Sequence, residues 1–532
     1  MIMEEVWTRK YPVGNDDFVS LRKNNELYID KTELIWQMIQ LSRWIFLSRP
    51  RRFGKTLLTS TLQAYFEGRK ELFDGLAIAG HTKEWVKYPV LRFNLSVVKE
   101  LPIEQIQPRI GIQLDDYEQI YGRNESEHTP GARLEGLIKR AYKQTGLGVV
   151  LIFDEYDAPL LNKLDNPELL EKTRAIMQEF YAPIKACSAY ERFTFITGIT
   201  KFSQLSIFST LNNLNNISML PQFAALTGFT DEELDTYFHQ DIERLGRSAG
   251  VGYEEIRETL RRQYDGYYFT RARVNVYNPF SLLSAFANQD IESYWFKTAT
   301  PSFIFKVMRH FKTDITNTFD LTASASSFDT PTEGMTTAIP LLYQSGYITI
   351  KGYDRESTFY HLAIPNKEVM TGLTENMSYI YLGMQGDDIK QGFAYKFWQA
   401  LKRDDIELAL REMKAYMAGL PYVEGFKNKL SEVATAEGFY EWTFYIIFSM
   451  LNVYVRTQVK CIKGRIDVVV EMPGTIYVME LKLHGTPLTA LKQIESGDYG
   501  VAYSTDGRKV VKVGIRFDMT RLTVRDWKIK SE

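Results

Sequence analysis

A chain of 532 residues with 45% hydrophobic and 14% aromatic content is too long for one ordinary core and has apolar surface for roughly two to four domains. No long Pro, Ser, Gln or single-charge tract and no repeat occurs, which argues against an extended disordered region. Lys and Arg number 64 against 66 Asp and Glu, a net charge of −2 that by itself names no polyanion partner, yet residues 455 to 532 hold 14 basic against 9 acidic side chains. The basic balance is therefore local to the C-terminal end.

The N-terminus, Met-Ile-Met-Glu-Glu-Val-Trp, lacks the basic start and apolar run of a signal peptide. No uninterrupted stretch of about 18 apolar residues follows, so no membrane partner is expected and the cytoplasm is the expected location. Cys187 and Cys461 stand far apart, which leaves neither a disulfide framework nor a zinc knuckle to build.

The first chemical signal is a strand, loop and helix in succession. Trp44 to Ser48 is a short apolar strand, Arg49-Pro50-Arg51-Arg52-Phe53-Gly54-Lys55-Thr56 a basic turn, and Leu57, Leu58 and Leu62 the apolar stripe of a helix. A P-loop needs this context, because backbone N–H groups at a helix start must point at phosphate. Gly54 permits close approach, Lys55 reaches the β- and γ-phosphates of ATP, and Thr56 is a ligand for Mg2+. In G-x-x-x-x-G-K-[ST] the first glycine position is Arg49 here.

About 100 residues later, Gly148 to Phe153 is fully apolar, as a buried parallel strand should be, and ends in Asp154-Glu155. This reads as a Walker B strand: Asp154 holds the magnesium and Glu155 polarises the attacking water. A third strand, Phe193 to Lys201, ends in small polar residues, so Thr197, Thr200 and Lys201 are candidates to sense the γ-phosphate.

Tyr28-Ile29-Asp30-Lys31-Thr32, the loop Arg49 to Thr56, Phe153-Asp154-Glu155-Tyr156-Asp157, and Thr197 to Lys201 followed by Phe208-Ser209 and Leu211-Asn212-Asn213 resemble the AAA-ATPase-like family of bacterial proteins. Tyr264-Asp265-Gly266-Tyr267, Tyr277 to Ser281, Tyr294-Trp295-Phe296 and Tyr343 to Tyr347 resemble it too, so the likeness covers most of the chain. In that family Arg-Pro-Arg-Arg-Phe-Gly-Lys-[Ser/Thr] is the usual loop, which makes Arg49 the family's own variant. The resemblance implies an α/β fold with a parallel-sheet P-loop domain of AAA/STAND type, usually with a C-terminal nuclease domain. It supplies no substrate.

After Gly228, Thr230-Asp231-Glu232-Glu233 reads as a capping box that opens a helical lid, with Leu234, Tyr237 and Phe238 at helical spacing. The aromatic cluster Tyr264 to Phe269 suits helix packing ahead of base stacking. A hairpin is expected around Tyr347 to Ile350. The boundaries read as 1–225 for the ATPase domain, 226–300 for the lid, 301–390 for a mixed helical connector and 391–532 for an α/β restriction-endonuclease-like domain.

That last region carries a second constellation. Arg465 to Val470 and Thr475 to Lys482 are strands joined by a turn at Pro473-Gly474. Alternation puts Glu480 and Lys482 on one face, and Asp467, 13 residues before Glu480, can reach the same end. Two carboxylates and a lysine are what magnesium-dependent phosphodiester hydrolysis requires, and D-x(12)-E-x-K is similar to the PD-(D/E)XK nucleases. Mn2+ can replace Mg2+ there. Glu437, ahead of an expected helix from Phe439 to Leu451, is a third candidate metal ligand. An amphipathic helix through Leu488, Leu491 and Ile494 follows the hairpin. Gln493 and Tyr499 resemble the Gln and Tyr of RecB-like nucleases, and Arg465 and Lys492 suit phosphate contacts.

The expected function is an ATP-binding, ATP-hydrolysing protein with a metal-dependent nuclease domain acting on nucleic acid, DNA ahead of RNA. The alternative is an ATP-dependent switch or scaffold whose nuclease-like domain binds nucleic acid or a protein without cleaving. A homo-oligomer is compatible with either.

Overall fold

Strands form where the apolar runs lie. A computed structural model describes residues 9–164, 166–201, 214–272, 274–298, 308, 311, 321–324, 326–327, 335–373, 393, 396–397, 399–418, 454–461, 464–472, 474–499, 503, 507–518 and 523–531, with the backbone alone at 297–298, 454–461 and 464–465. The chain divides into two units, Met1–Phe311 with Phe319–Glu368, and Lys312–Thr318 with Val369–Glu532.

In the first unit β1 (Trp44–Ser48), β2 (Val90–Asn94), β3 (Val149–Asp154), β4 (Glu191–Gly198) and β5 (Asn215–Asn216) form a sheet of order β2-β3-β4-β1-β5. All neighbours pair in parallel. Every strand therefore delivers its C-terminal end to one edge, where a parallel sheet places its ligands. Alternation fills two layers: Val149, Leu151 and Phe153 pack into one apolar cluster, Val150 and Ile152 into the other. Both faces are covered, which is why β3 is apolar at consecutive positions. Each of these side chains contributes about 1.5–3 kcal/mol by burial.

A second helical cluster comprises Asp231–Tyr237, His239–Ala249, Tyr253–Tyr264 and Pro279–Asn288 around Leu234, Phe238, Ile242, Leu260 and Phe286. The capping box is present: Thr230 accepts from Glu233 N, and Glu233 accepts from Thr230 N. Tyr264, Tyr267 and Phe269 are buried, as packing aromatics should be. A ribbon of β6 (Tyr267–Tyr268) and β7 (Asn275–Val276) follows, then a sheet of β8 (Leu321–Ser324), β9 (Thr349–Tyr353) and β10 (Phe359–Ala363) in order β8-β10-β9. The β9/β10 pair is the expected hairpin.

Glu368 is fully buried, and one carboxylate oxygen takes Ser281 Oγ and Trp295 N at 2.9 Å each. Its other oxygen has no partner among the described residues. Burial pushes this carboxyl up to about 7. The folded state thus binds the proton more tightly than the unfolded chain, whose glutamates titrate near about 4.3. The stabilisation is complete below that unfolded value and is lost as pH rises through about 7. Thermal scans of wild type at about pH 6 and about pH 8 should show a drop in unfolding temperature that Glu368→Gln, neutral at both, reduces. An equal drop in the variant defeats the assignment.

The second unit holds β11 (Tyr454–Cys461), β12 (Gly464–Glu471), β13 (Thr475–Lys482), β14 (Lys509–Asp518) and β15 (Thr523–Ser531) in that order across one sheet. β13 and β14 are parallel and the other pairs antiparallel. The crossover between the parallel pair is the helix Pro487–Ser496. That helix buries Ala490, Leu491 and Ile494, whereas Leu488 is 47% exposed. Leu491 and Ile494 of the expected stripe thus face the core, with Ala490 beside them, and Leu488 does not. A Cβ on Gly514 would lie 2.2 Å from Pro487 O, so only glycine lets the helix start approach β14 beside Glu480. No described helix is long and apolar enough to cross a membrane.

Candidate functional site

The first site opens at the C-terminal edge of the parallel sheet. β1 runs into the basic loop, and Gly54, at φ 80°, adopts the left-handed conformation that turns the chain into the helix Lys55–Phe66. No side chain caps this helix, so its first N–H groups face the cavity without a side-chain acceptor among the described residues. Arg52 also sits at φ 69°, a conformation non-glycine residues rarely hold outside constrained sites.

A cavity of 430 Å³ lies over this turn, lined by Arg51, Arg52, Phe53, Gly54, Lys55, Thr56 and Glu155. Lys55 is buried and donates from Nζ to Arg49 O and Pro50 O at 2.9 Å each. Burial pushes its ammonium down, an effect that Glu155, Asp154 and Asp157 oppose. The lysine thus sits between loop carbonyls and acids, where it can exchange carbonyls for phosphate oxygens.

Because β4 inserts between β1 and β3, the loop and the acidic pair stand two strands apart, or about 10 Å. The helix after the loop spans that distance: Thr59 Oγ1 donates to Asp154 Oδ2 at 3.2 Å. Asp154 is fully buried, its Oδ1 has no partner among the described residues, and burial, then the charge of Glu155, pushes its carboxyl up. A buried carboxylate that keeps one oxygen without a partner among the described residues, with the Thr56 hydroxyl acting on the same carboxyl, suits a divalent cation. Glu155 lines the cavity at φ 49°.

Other expected ligands point elsewhere. The Arg49 guanidinium is buried away from the cavity, donating to Ser48 O, Ser218 O and Phe223 O and stacking 4.4 Å over the Phe269 ring. It braces the loop from behind, and with Pro50 it meets phosphate chemistry only through the carbonyls that receive Lys55. Thr197 Oγ1 donates to Leu47 O, and Thr200 Oγ1 to Asp157 Oδ2. Neither hydroxyl, nor Lys201, lines the cavity. Strand-end hydroxyls can satisfy neighbouring backbone as readily as a ligand, and here they do.

The sequence motifs do not mark every polar residue of the cavity and acid site. Ser96 and Lys99 follow β2 and line the cavity, and Arg92, on β2, lies 3.9 Å from Asp154 Oδ2. The available signal was Arg92 itself, a charge inside the apolar run Val90-Leu91-Arg92-Phe93.

The second site sits at the end of the β12/β13 hairpin. Asp467 accepts from Leu481 N at 2.7 Å, and Lys482 Nζ lies 3.1 Å from Glu480 Oε1. Glu480 is 1% exposed, and its Oε2 has no partner among the described residues. Burial, then the charge of Asp467, pushes its carboxyl up to about 7, against the pull of Lys482. The three residues of the expected pattern converge, and the donor set, two carboxylates with an open oxygen, suits a hard divalent cation. Among the described residues no three His, Cys, Asp or Glu side chains gather. Glu437, the expected helix from Phe439 to Leu451, and Phe208-Ser209 with Leu211 to Asn213 lie outside the described residues, as does the Arg465 side chain. Lys492 is exposed and Gln493 half-buried on the crossover helix. Tyr499 is buried in the apolar cluster with Ile466, Val478 and Ile494, a core position that leaves little surface for nucleic acid.

Residues 12–208 match the family described as Predicted AAA-ATPase, and residues 435–527 match the PD-(D/E)XK nuclease superfamily. The chain is also 31% identical over 533 residues to the uncharacterized protein in the vnfD 5' region of Azotobacter chroococcum mcd 1, covering 98% of this chain and 99% of that one.

Proposed function

The chain belongs to the AAA-ATPase-like family with a C-terminal PD-(D/E)XK nuclease superfamily domain, and on that premise we propose that it binds and hydrolyses ATP at Lys55 and cleaves nucleic acid, preferentially DNA, at Asp467, Glu480 and Lys482. The observation that carries the reading is that each site keeps one buried carboxylate oxygen without a partner among the described residues, on Asp154 within the field of Lys55 and on Glu480 beside Lys482.

Magnesium bound at either site would neutralise phosphate charge and lower the pKa of a coordinated water. Thr56 and Asp154 would hold it at the first site, Asp467 and Glu480 at the second. Lys55 releases Arg49 O and Pro50 O and takes the β- and γ-phosphate oxygens, with the free N–H groups of the helix start beneath them. Arg51 and Arg52 add charge at the cavity wall. Glu155 accepts the proton of the attacking water. At the second site Lys482 stabilises charge on the scissile phosphate, and Lys492 contributes to backbone attraction.

The helices from Asp231 to Asn288 act as a lid over the nucleotide, since Phe280 and Leu283 on the last of them, with Gly228 and Phe229 just ahead of the first, line the same cavity. The test is to incubate the full chain with ATP, and separately with labelled DNA and RNA, in Mg2+ or Mn2+. ATP turnover sensitive to Glu155→Gln and cleavage sensitive to Glu480→Gln are expected. ATP turnover with no cleavage of any polymer refutes the nuclease half and leaves a nucleotide switch.

A further inference from the structure

Asp157 is the most heavily engaged acid near the nucleotide cavity, and the chemistry above does not use it. It is fully buried, yet its partners are not basic side chains. Its carboxylate accepts from Ile199 N at 3.1 Å, Thr200 N at 2.6 Å and Thr200 Oγ1 at 2.6 Å. All three donors lie in the two residues that follow β4, the strand that separates β1 from β3. The turn is stitched to that strand elsewhere as well. Tyr156 N donates to Thr197 O at 3.1 Å and Tyr156 OH to Thr200 O at 3.0 Å. Gly198 is required for this approach, because a Cβ there would lie 2.3 Å from Asp157 Oδ1.

A buried carboxylate met only by neutral donors is expensive, and burial does push the Asp157 carboxyl up, with Thr200 and Lys55 opposing. Two residues earlier Glu155 holds a left-handed backbone at φ 49°, a strained state for a side chain with a Cβ. Such strain persists only where its surroundings over-determine it. The bonds from Tyr156 and Asp157 to β4 are what over-determine this turn.

We propose that Asp157 is a positioning residue for ATP hydrolysis: by locking the 154–157 turn to the end of β4, it holds Glu155 in the conformation that presents it to the cavity. The inference rests on the reading of Glu155 as the base. It also gives the Thr200 hydroxyl a bracing role in place of sensing phosphate. A base displaced by a fraction of an ångström transfers protons poorly while substrate still binds, so turnover and affinity should separate.

The experiment uses the full chain with ATP and Mg2+. Asp157→Asn keeps the shape but offers an amide where donors converge, and is expected to lower kcat roughly 100-fold, the loss a small misplacement of a catalytic group produces. The Kd for ATP should stay at the wild-type value. Thr200→Val, which removes one donor outside the cavity, should lower kcat in the same sense. Thr200→Ser, which restores the hydroxyl, should recover it. Wild-type kcat in Asp157→Asn overturns the inference. So does a parallel loss of kcat, ATP affinity and unfolding temperature, which marks a residue that only supports the fold. Glu155→Gln separates the two levels. No ATP turnover by wild type removes the base and its positioning residue together, whereas turnover abolished by Glu155→Gln but kept by Asp157→Asn removes the positioning role alone.

Discussion

Alanine at Lys55 should weaken ATP binding by at least about 100-fold, because a charge-assisted hydrogen bond contributes about 1.5–3 kcal/mol and the ammonium can make two to phosphate. The free protein already forms two bonds from Nζ, to Arg49 O and Pro50 O at 2.9 Å each. Binding therefore exchanges carbonyl partners for anionic ones, and the gain is the difference between them. The substitution also removes the cation that opposes the charge of Glu155, Asp154 and Asp157. Lys55→Met keeps the length and loses the charge, so it isolates the electrostatic part. Titration with a fluorescent ATP analogue decides the matter. A Kd within threefold of wild type in Lys55→Ala would place the nucleotide elsewhere.

How much of this site the sequence made legible depends on the range of the interaction. The strand, turn and helix from Trp44 to Leu62 were readable because apolar period and a glycine at a turn are local properties. The apolar run Val149 to Phe153 was readable because a strand covered on both faces has few alternatives. Strand order was not: nothing in Phe193 to Gly198 announces that β4 enters between β1 and β3. That insertion decides the fate of the polar residues at its end. Thr197 meets Leu47 O across the β1 pairing, and Thr200 meets Asp157 across the β3 side. Arg49 is a similar case, since a guanidinium in a basic loop looks free until Ser218, Phe223 and Phe269 enclose it. In the second unit the D-x(12)-E-x-K spacing located its three residues, because strand alternation and one tight turn fix their relation. Tyr499 escaped, as a tyrosine beside a turn carries no mark of the core that covers it.

Asparagine at Asp467 should abolish nucleic-acid cleavage, by at least about 1000-fold, while raising the unfolding temperature of the second unit, since a metal-bound charge supplies several kcal/mol to the transition state. The two effects have one cause. Glu480 is buried with an open oxygen, and the Asp467 charge helps hold its carboxyl up at about 7. Two like charges kept together cost folding energy, and removing one relieves it. The amide introduced by Asp467→Asn would still accept from Leu481 N through its carbonyl oxygen, so the β12/β13 hairpin loses no hydrogen bond of the kind seen at 2.7 Å. Lys482→Ala has the opposite stability sign. It strips Glu480 of its 3.1 Å partner, so both cleavage and stability should fall, cleavage by about 100-fold for one lost stabilising donor. Cleavage of labelled duplex and single-stranded DNA and of RNA, in Mg2+ and in Mn2+, read beside thermal unfolding, separates the cases. The sign at Asp467 is the informative one: a charge that opposes folding beside Glu480 raises the unfolding temperature when it is removed, whereas a residue that only supports the fold lowers it. Undiminished cleavage by Asp467→Asn, or a lowered unfolding temperature in that variant, would remove Asp467 from the metal site.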